Sequence, residues 1–199
     1  MKSLNRKTAP RSIYGRVQKK NNWILSPNYY RKPEPTLFID RKRPGEGFRH
    51  VLKRSDIIDF IRILPNWPEL SEGLDAIVLS PGNPLIFGYH RYGVVHVCAW
   101  ERDLWMKLST YGYLAEKEYL DRLGVPCELR NGEYLCKFTE NTVRAHQLLA
   151  TLLHELGHHH DRITTKSKRC PGRGEKYAYD YAREYTEMIW ERYLDTFEL

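Results

Sequence analysis

Residues 154–158 read His-Glu-Leu-Gly-His, an HExxH pattern whose spacing has a mechanical meaning on a helix. Side chains four apart lie one turn up the same face, about 6 Å of rise at ~1.5 Å per residue. Two imidazoles so placed can grip one tetrahedral zinc ion at Zn–N distances of about 2.0–2.1 Å. Glu155, beside the first histidine, can then reach a metal-bound water and take its proton. With 8 His and 16 Glu in 199 residues, chance supplies such a pattern only roughly 0.03 times per chain. The plain alternative is a polar helix end rich in histidine, since His159, His160 and Asp161 follow directly. The approach to the motif, Gln147-Leu148-Leu149-Ala150-Thr151-Leu152-Leu153, argues against it. That run is apolar nearly all round and has no Pro or Gly, which describes a buried helix rather than a surface one.

Two histidines leave zinc short of a ligand, so a catalytic site needs a third from elsewhere in the chain. The pattern HExxHxxGxxH fails, because Asp161 and Thr164 stand where Gly and His would be. A final helix, expected from Glu175 to about Phe197, offers Glu175, Asp180, Glu184 and Glu187. Glu175, Ala178 and Ala182 share one stripe of that helix. Small residues along it would admit close approach to the metal helix and bring a carboxylate within reach. Glu175 is the preferred third ligand, with Asp161 and Glu184 as alternatives. A carboxylate at a helix start is also favoured by the helix dipole without any metal.

Other elements must hold these residues. Ser55 reads as the cap of a short helix to Leu64, stopped by Pro65 and Pro68. Strand signals follow at 76–79, 85–89 and 94–99, the last two joined by a turn near 90–93. His90 and His96 read as strand histidines rather than ligands. Residues 101–123 read as helical, ended by Gly124 and Pro126. Asn131-Gly132 marks a type I′ hairpin whose register sets Cys127 opposite Cys136, a non-hydrogen-bonded pair with Cα atoms about 4.5 Å apart. Thr139 or Asn141 then caps the helix that carries HExxH.

The balance of charge divides the chain. Residues 1–54 carry 15 Lys/Arg against 3 Asp/Glu, whereas 55–199 carry 17 against 22. With Pro and Gly punctuating it, 1–54 reads as a basic arm and 55–199 as one domain. The arm could bind nucleic acid or an acidic partner through counterion release, or simply be a solvated extension. Leu37-Phe38-Ile39 could still dock part of it onto the domain. No apolar run approaches the length of a membrane span, and no secretory h-region is present, so the expectation is a cytoplasmic protein with thiols mainly reduced.

The two halves of the candidate site also carry a resemblance. HELGH followed by Glu175-x-x-Ala178-x-x-Tyr181-Ala182 resembles the signature of the ImmA/IrrE-type zinc peptidases within the gluzincin group, with Tyr181 where that family has Phe. The resemblance covers roughly residues 139–190. It implies zinc held by His154, His158 and Glu175, with Glu155 as the general base of peptide-bond hydrolysis. Many relatives carry a helix-turn-helix segment or act on a repressor encoded beside them; no such segment is recognisable here.

The expectation is therefore an α+β domain in which a small mixed or antiparallel sheet supports a zincin-like helix pair. It is expected to be a Zn²⁺-dependent peptidase acting on a peptide or protein, with a regulatory protein as one candidate substrate. The competing expectation is a nucleic-acid-binding or repressor-sequestering regulator with a structural or vestigial zinc site. His159, His160, Tyr177, Tyr181 and Tyr185 are the candidates for stabilising the oxyanion.

Overall fold

Short β-branched runs at 76–80 and 94–98 set the centre of the molecule, because both faces of these strands are covered and every residue in them is buried. In a computed structural model of the chain, the described residues are 37–165 and 172–199, with 12–13, 16–17 and 29. Most of the basic arm before residue 37, and the basic loop residues 166–171, lie outside them.

The described part is an α+β fold. A two-residue pair, β1 (Ser12–Ile13) and β2 (Arg16–Val17), precedes the domain. The main sheet contains β3 (Phe38–Arg41), β5 (Ala76–Ser80), β7 (Val94–Cys98) and β6 (Gly88–Arg91), in that spatial order. The first three are parallel and β6 runs antiparallel along the outside of β7. Helix α1 (Arg54–Ile63) forms the crossover from β3 to β5, burying Ile57 and Phe60. Its start is fixed by Asp56, whose carboxylate accepts the Lys53 backbone N–H at 2.8 Å, rather than by a cap at Ser55. One short turn, α2 (Trp67–Leu70), follows Pro65 and carries Pro68 in its first turn.

The stretch at 37–54, charged enough to read as arm, contributes structure to the domain. β3 pairs with β5, β4 (Phe48–Arg49) pairs with β8 (Trp100–Glu101), and Val51 and Leu52 are buried in the core. Leu37-Phe38-Ile39 docks as its apolar character suggested, with Phe38 and Ile39 paired to Ala76 and Ile77.

A second, antiparallel sheet joins β10 (Cys127–Arg130), β11 (Glu133–Lys137) and β9 (Trp105–Ser109). Its hairpin has the register set by Asn131-Gly132, with Cys127 opposite Cys136. Their Cα atoms are 4.0 Å apart and the structure joins the two thiols in a disulfide, leaving Cys98 free and buried. β9 corrects the helical reading of 101–123: residues 105–109 are a strand because β11 supplies a complete ladder for them. Helix α3 (Thr110–Arg122) begins only after Ser109, whose hydroxyl accepts the Gly112 N–H at 3.1 Å.

The remaining helices form the layer against the main sheet. α4 (Glu140–Ala145) runs through a π-helical stretch, His146–Leu152, into α5 (Leu153–Thr164). Helix α6 (Glu175–Thr196) packs along α5. Among the described residues no helix is long and apolar enough to cross a membrane.

Candidate metal centre

The helix bearing HExxH starts where a cap can form. Thr139 accepts the Thr142 N–H on its hydroxyl at 3.1 Å, and the Thr142 hydroxyl accepts the Thr139 N–H at 2.8 Å. Two side-chain bonds anchor the widened turn that follows. Gln147 Nε2 donates to the Cys98 carbonyl at 2.7 Å, and the Thr186 hydroxyl donates to the Leu149 carbonyl at 3.1 Å. The second bond comes from α6, so the helix that supplies the third ligand candidate also braces the helix that supplies the histidines. π-Helical turns commonly mark functional sites.

α5 then turns His154 and His158 to one face, with ring centroids 4.7 Å apart. α6 approaches that face closely at Gly157. A Cβ there would lie 3.0 Å from Ala178 Cα and 3.1 Å from Tyr181 Cβ, tight enough that α6 would have to give way to admit it. Ala178 and Ala182 are buried along the same contact, as the small-residue stripe required. Glu175, at the first turn of α6, reaches both histidines: its Oε2 is 3.1 Å from His154 Nε2 and its Oε1 3.4 Å from His158 Nε2.

These three side chains fit a metal ion. Each offers a donor atom, and the donors all lie within 4.8 Å of one another. Two ligands on one tetrahedral ion at about 2.0–2.1 Å stand roughly 3.3–3.4 Å apart, close to both nitrogen–oxygen separations here. The donor set of two imidazoles and a carboxylate suits zinc. Burial, together with the neighbouring His158, pushes the His154 pKa below its usual value against the opposing pull of Glu175. That favours the neutral imidazole a metal requires. His90 and His96 do not join this group. They lie in β6 and β7, with Gly93 N–H donating to His90 Nε2 at 3.3 Å and Ser80 Oγ bonded to His96 Nδ1 at 2.8 Å.

Glu155 occupies the position that the HExxH spacing assigns to a base. It is 6% exposed, and its Oε2 has no hydrogen-bond partner among the described residues. Burial first, then the charge of Glu175, pushes its carboxyl up to about 8. Gly88 of β6 packs directly over it: a Cβ at Gly88 would meet Glu155 Cγ at 3.0 Å and Thr151 Cγ2 at 2.7 Å. A nearby cation would pull this carboxyl back toward ionisation.

Asp161, an alternative ligand on sequence grounds, has a different task. Fully buried, it accepts the backbone N–H groups of Arg173 at 2.6 Å and Gly174 at 3.2 Å on Oδ2. It thereby fixes the residues just before Glu175. Spacing gave no signal for this role, since three residues beyond His158 is the same stripe of α5; the amides of the chain entering α6 claim the carboxylate instead. Glu184 lies on an exposed part of α6, and Asp180 is ion-paired with Lys176 at 2.5 Å.

The site opens into a cleft of about 1090 Å³. Residues 88–90 of the outer strand β6 form one wall, with α3 and α6 opposite. None of the five sequence candidates for oxyanion stabilisation lines it. His159 Nε2 is bonded to the Glu72 carbonyl at 2.8 Å, and His160 Nδ1 to the Tyr177 hydroxyl at 2.6 Å. Tyr181 stacks on Tyr185 at 4.6 Å. Tyr179 does line the cleft, its ring edge-on to His154 at 4.6 Å. Its position one turn after Glu175 was the available signal.

Searches with the whole chain find no matching family model, no matching curated protein and no matching solved structure, so the reading of this centre rests on its own residues.

Proposed function

We propose that the chain is a zinc-dependent metallopeptidase of the ImmA/IrrE-like kind that its motifs resemble. The observation that carries this reading is the convergence of His154, His158 and Glu175 to within 4.8 Å beside the buried Glu155, at the floor of a cleft. Bound there, zinc would supply a Lewis acid for the scissile carbonyl and acidify the attacking water. Glu155 removes the proton of that water as it attacks and delivers a proton to the departing amine. Its Oε2, without a partner among the described residues, is free for this shuttle. Gly88 holds β6 close over Glu155, so an extended peptide laid along the outer strand would bring a backbone carbonyl near the three ligands. Asp161, Gly157 and Thr186 are positioning residues, setting α6 against α5 so that Glu175 meets the histidines.

A regulatory reading has one observation in its favour, the excess of 15 Lys/Arg over 3 Asp/Glu in residues 1–54. On that reading the protein binds nucleic acid or an acidic partner and uses zinc structurally. Salt-sensitive DNA binding that survives metal removal supports it over the enzyme.

Metal analysis of the purified protein, paired with a cleavage screen on unstructured proteins and on proteins encoded beside it, tests the enzyme reading. Near-stoichiometric zinc and chelator-sensitive cleavage are expected. Metal-free protein that fails to take up zinc sinks the reading.

A further inference from the structure

The cleft extends away from the histidines along the π-helical stretch, and its far end differs in character from the metal end. His146 stands eight residues before His154, about 12 Å at most along the helix. It is buried among aromatic rings: Trp100 edge-on at 5.2 Å, Phe87 at 5.5 Å, Phe138 at 5.8 Å and Tyr119 at 5.9 Å. Of these residues, His146, Tyr119 and Phe87 line the cleft, and Met106 and Leu149 complete its apolar walls there. Phe87 is stacked on Trp100 at 5.1 Å yet remains 44% exposed, so the pocket has a rigid wall with an open face.

Two polar atoms interrupt this apolar lining. His146 is 7% exposed and its Nδ1 is without a partner among the described residues; the Tyr119 hydroxyl is likewise buried and without one. Burial pushes the His146 imidazole down to about 4 and the Tyr119 phenol well above its usual range, so both are neutral near pH 7. Glu116 and Arg122 also line the cleft and act on Tyr119 with opposite signs, so together they offer a charged ligand group no net counter-charge. A purely apolar one would leave two buried polar atoms unmatched. The fitting group is an aromatic ring with one neutral tip that both donates and accepts, which is a phenol.

We propose that this end of the cleft is a specificity pocket selecting a tyrosine side chain of the peptide substrate. An extended peptide advances about 3.3 Å per residue, so the selected tyrosine lies within about three residues of the bond held at the metal end. The rim agrees in chemistry. Leu85 and Tyr111, which also line the cleft, are 88% and 85% exposed, an apolar entrance suited to an unfolded, apolar segment.

This inference rests on the peptidase reading for its substrate class, and its test separates the two. Zinc-loaded full-length protein carrying Glu155→Gln would be titrated by fluorescence anisotropy with labelled peptides. These differ at one walked position, which holds Tyr, Phe, Leu, Ala or Lys. At one position Tyr and Phe should bind at least roughly tenfold tighter than Ala or Lys, and Tyr roughly three- to tenfold tighter than Phe, the worth of one matched hydrogen bond. Adding Tyr119→Phe, which removes only a hydroxyl, should shrink the Tyr-over-Phe preference while keeping Phe over Ala. Adding His146→Phe should remove the rest. Binding with no aromatic preference at any position, or a Tyr preference unchanged by Tyr119→Phe and His146→Phe, overturns the pocket. Cleavage by the wild type is scored separately: tyrosine-selective binding without cleavage keeps the pocket and sinks the peptidase, whereas cleavage without that selectivity does the reverse.

Discussion

Asp161 holds Gly174 in place, its Oδ2 accepting the Gly174 backbone N–H at 3.2 Å and that of the preceding Arg173 at 2.6 Å. The carboxylate satisfies amides that a helix start leaves without partners, and in doing so it aims the next residue, Glu175, at the histidines. Asp161→Ala should therefore weaken metal binding although Asp161 touches no metal ligand atom. Loss of an outer carboxylate of this kind typically costs about 10–100-fold in metal affinity. Competition with a chromogenic chelator reads the change; unaltered affinity would show that α6 is held by its packing alone.

Gly157 makes a second prediction from a close approach. Alanine there would gain up to about 1 kcal/mol in helix propensity. Its Cβ, however, would press on Ala178 Cα at 3.0 Å, backbone rather than the end of a flexible side chain, and overpacking typically costs about 1–3 kcal/mol. Overpacking wins. Gly157→Ala should lower the melting temperature by a few degrees and loosen zinc; a melting temperature that rises would mean the helices separate freely.

Glu175→Gln should reduce metal affinity beyond the roughly 10–100-fold expected of outer residues. Asp180→Asn and Glu184→Gln should leave it nearly unchanged. A carboxylate brings charge and a short Zn–O bond of about 2.0–2.2 Å that an amide reproduces poorly. Equal losses from all three variants, by the same chelator competition, would remove Glu175 from the ligand set.

The centre was legible in the sequence because its parts are local. HExxH needs only one helical turn, and Glu175 was marked by the alanines that let α6 approach. The hairpin register followed from Asn131-Gly132, down to the facing of Cys127 and Cys136. Residues 105–109 were not legible. Trp105, Met106 and Leu108 continue into Tyr111 and Leu114 at spacings that suit a helix, and only the ladder with β11, distant in sequence, makes them a strand. Charge counting likewise averaged over 37–54 and hid a strand of the main sheet and the buried Leu52 among lysines and arginines. The oxyanion candidates failed for a similar reason. Which face of α5 or α6 meets solvent, sheet or cleft depends on the packing of both helices, and this turned His159 and His160 away while exposing Tyr179. The π-helical stretch leaves no mark in residue types at all.

Two buried histidines far from the ligands give a pH prediction. Burial holds His146 at about 4, and burial aided by the charges of Lys42 and Arg91 holds His96 at about 4, both below the usual 6.5. Above pH 6.5 the folded and unfolded chains carry these rings neutral, and they contribute nothing to pH dependence. Below it the unfolded chain binds protons that the folded chain refuses until about pH 4, so stability falls as pH drops through that window. The slope approaches roughly 1.4 kcal/mol per pH unit for each ring. Urea midpoints should hold nearly level from pH 7.5 to 6.5 and then decline to pH 5, before most carboxylates titrate. A flat profile would mean that these rings accept protons in the folded state.

The reading as an enzyme turns on Glu155, and one comparison tests it most directly: zinc content and peptide cleavage measured side by side for the wild type, Glu155→Gln and His154→Ala. Glutamine keeps nearly the volume of Glu155 beneath Gly88 but cannot carry the proton, and general acid–base catalysis is typically worth about 10²–10⁴-fold. The account predicts that Glu155→Gln retains its fold and its zinc while cleavage falls by about that factor, and that His154→Ala loses zinc and cleavage together. Undiminished cleavage or biological effect in the zinc-loaded Glu155→Gln protein would contradict it, and would leave the centre as a structural element of a binding protein.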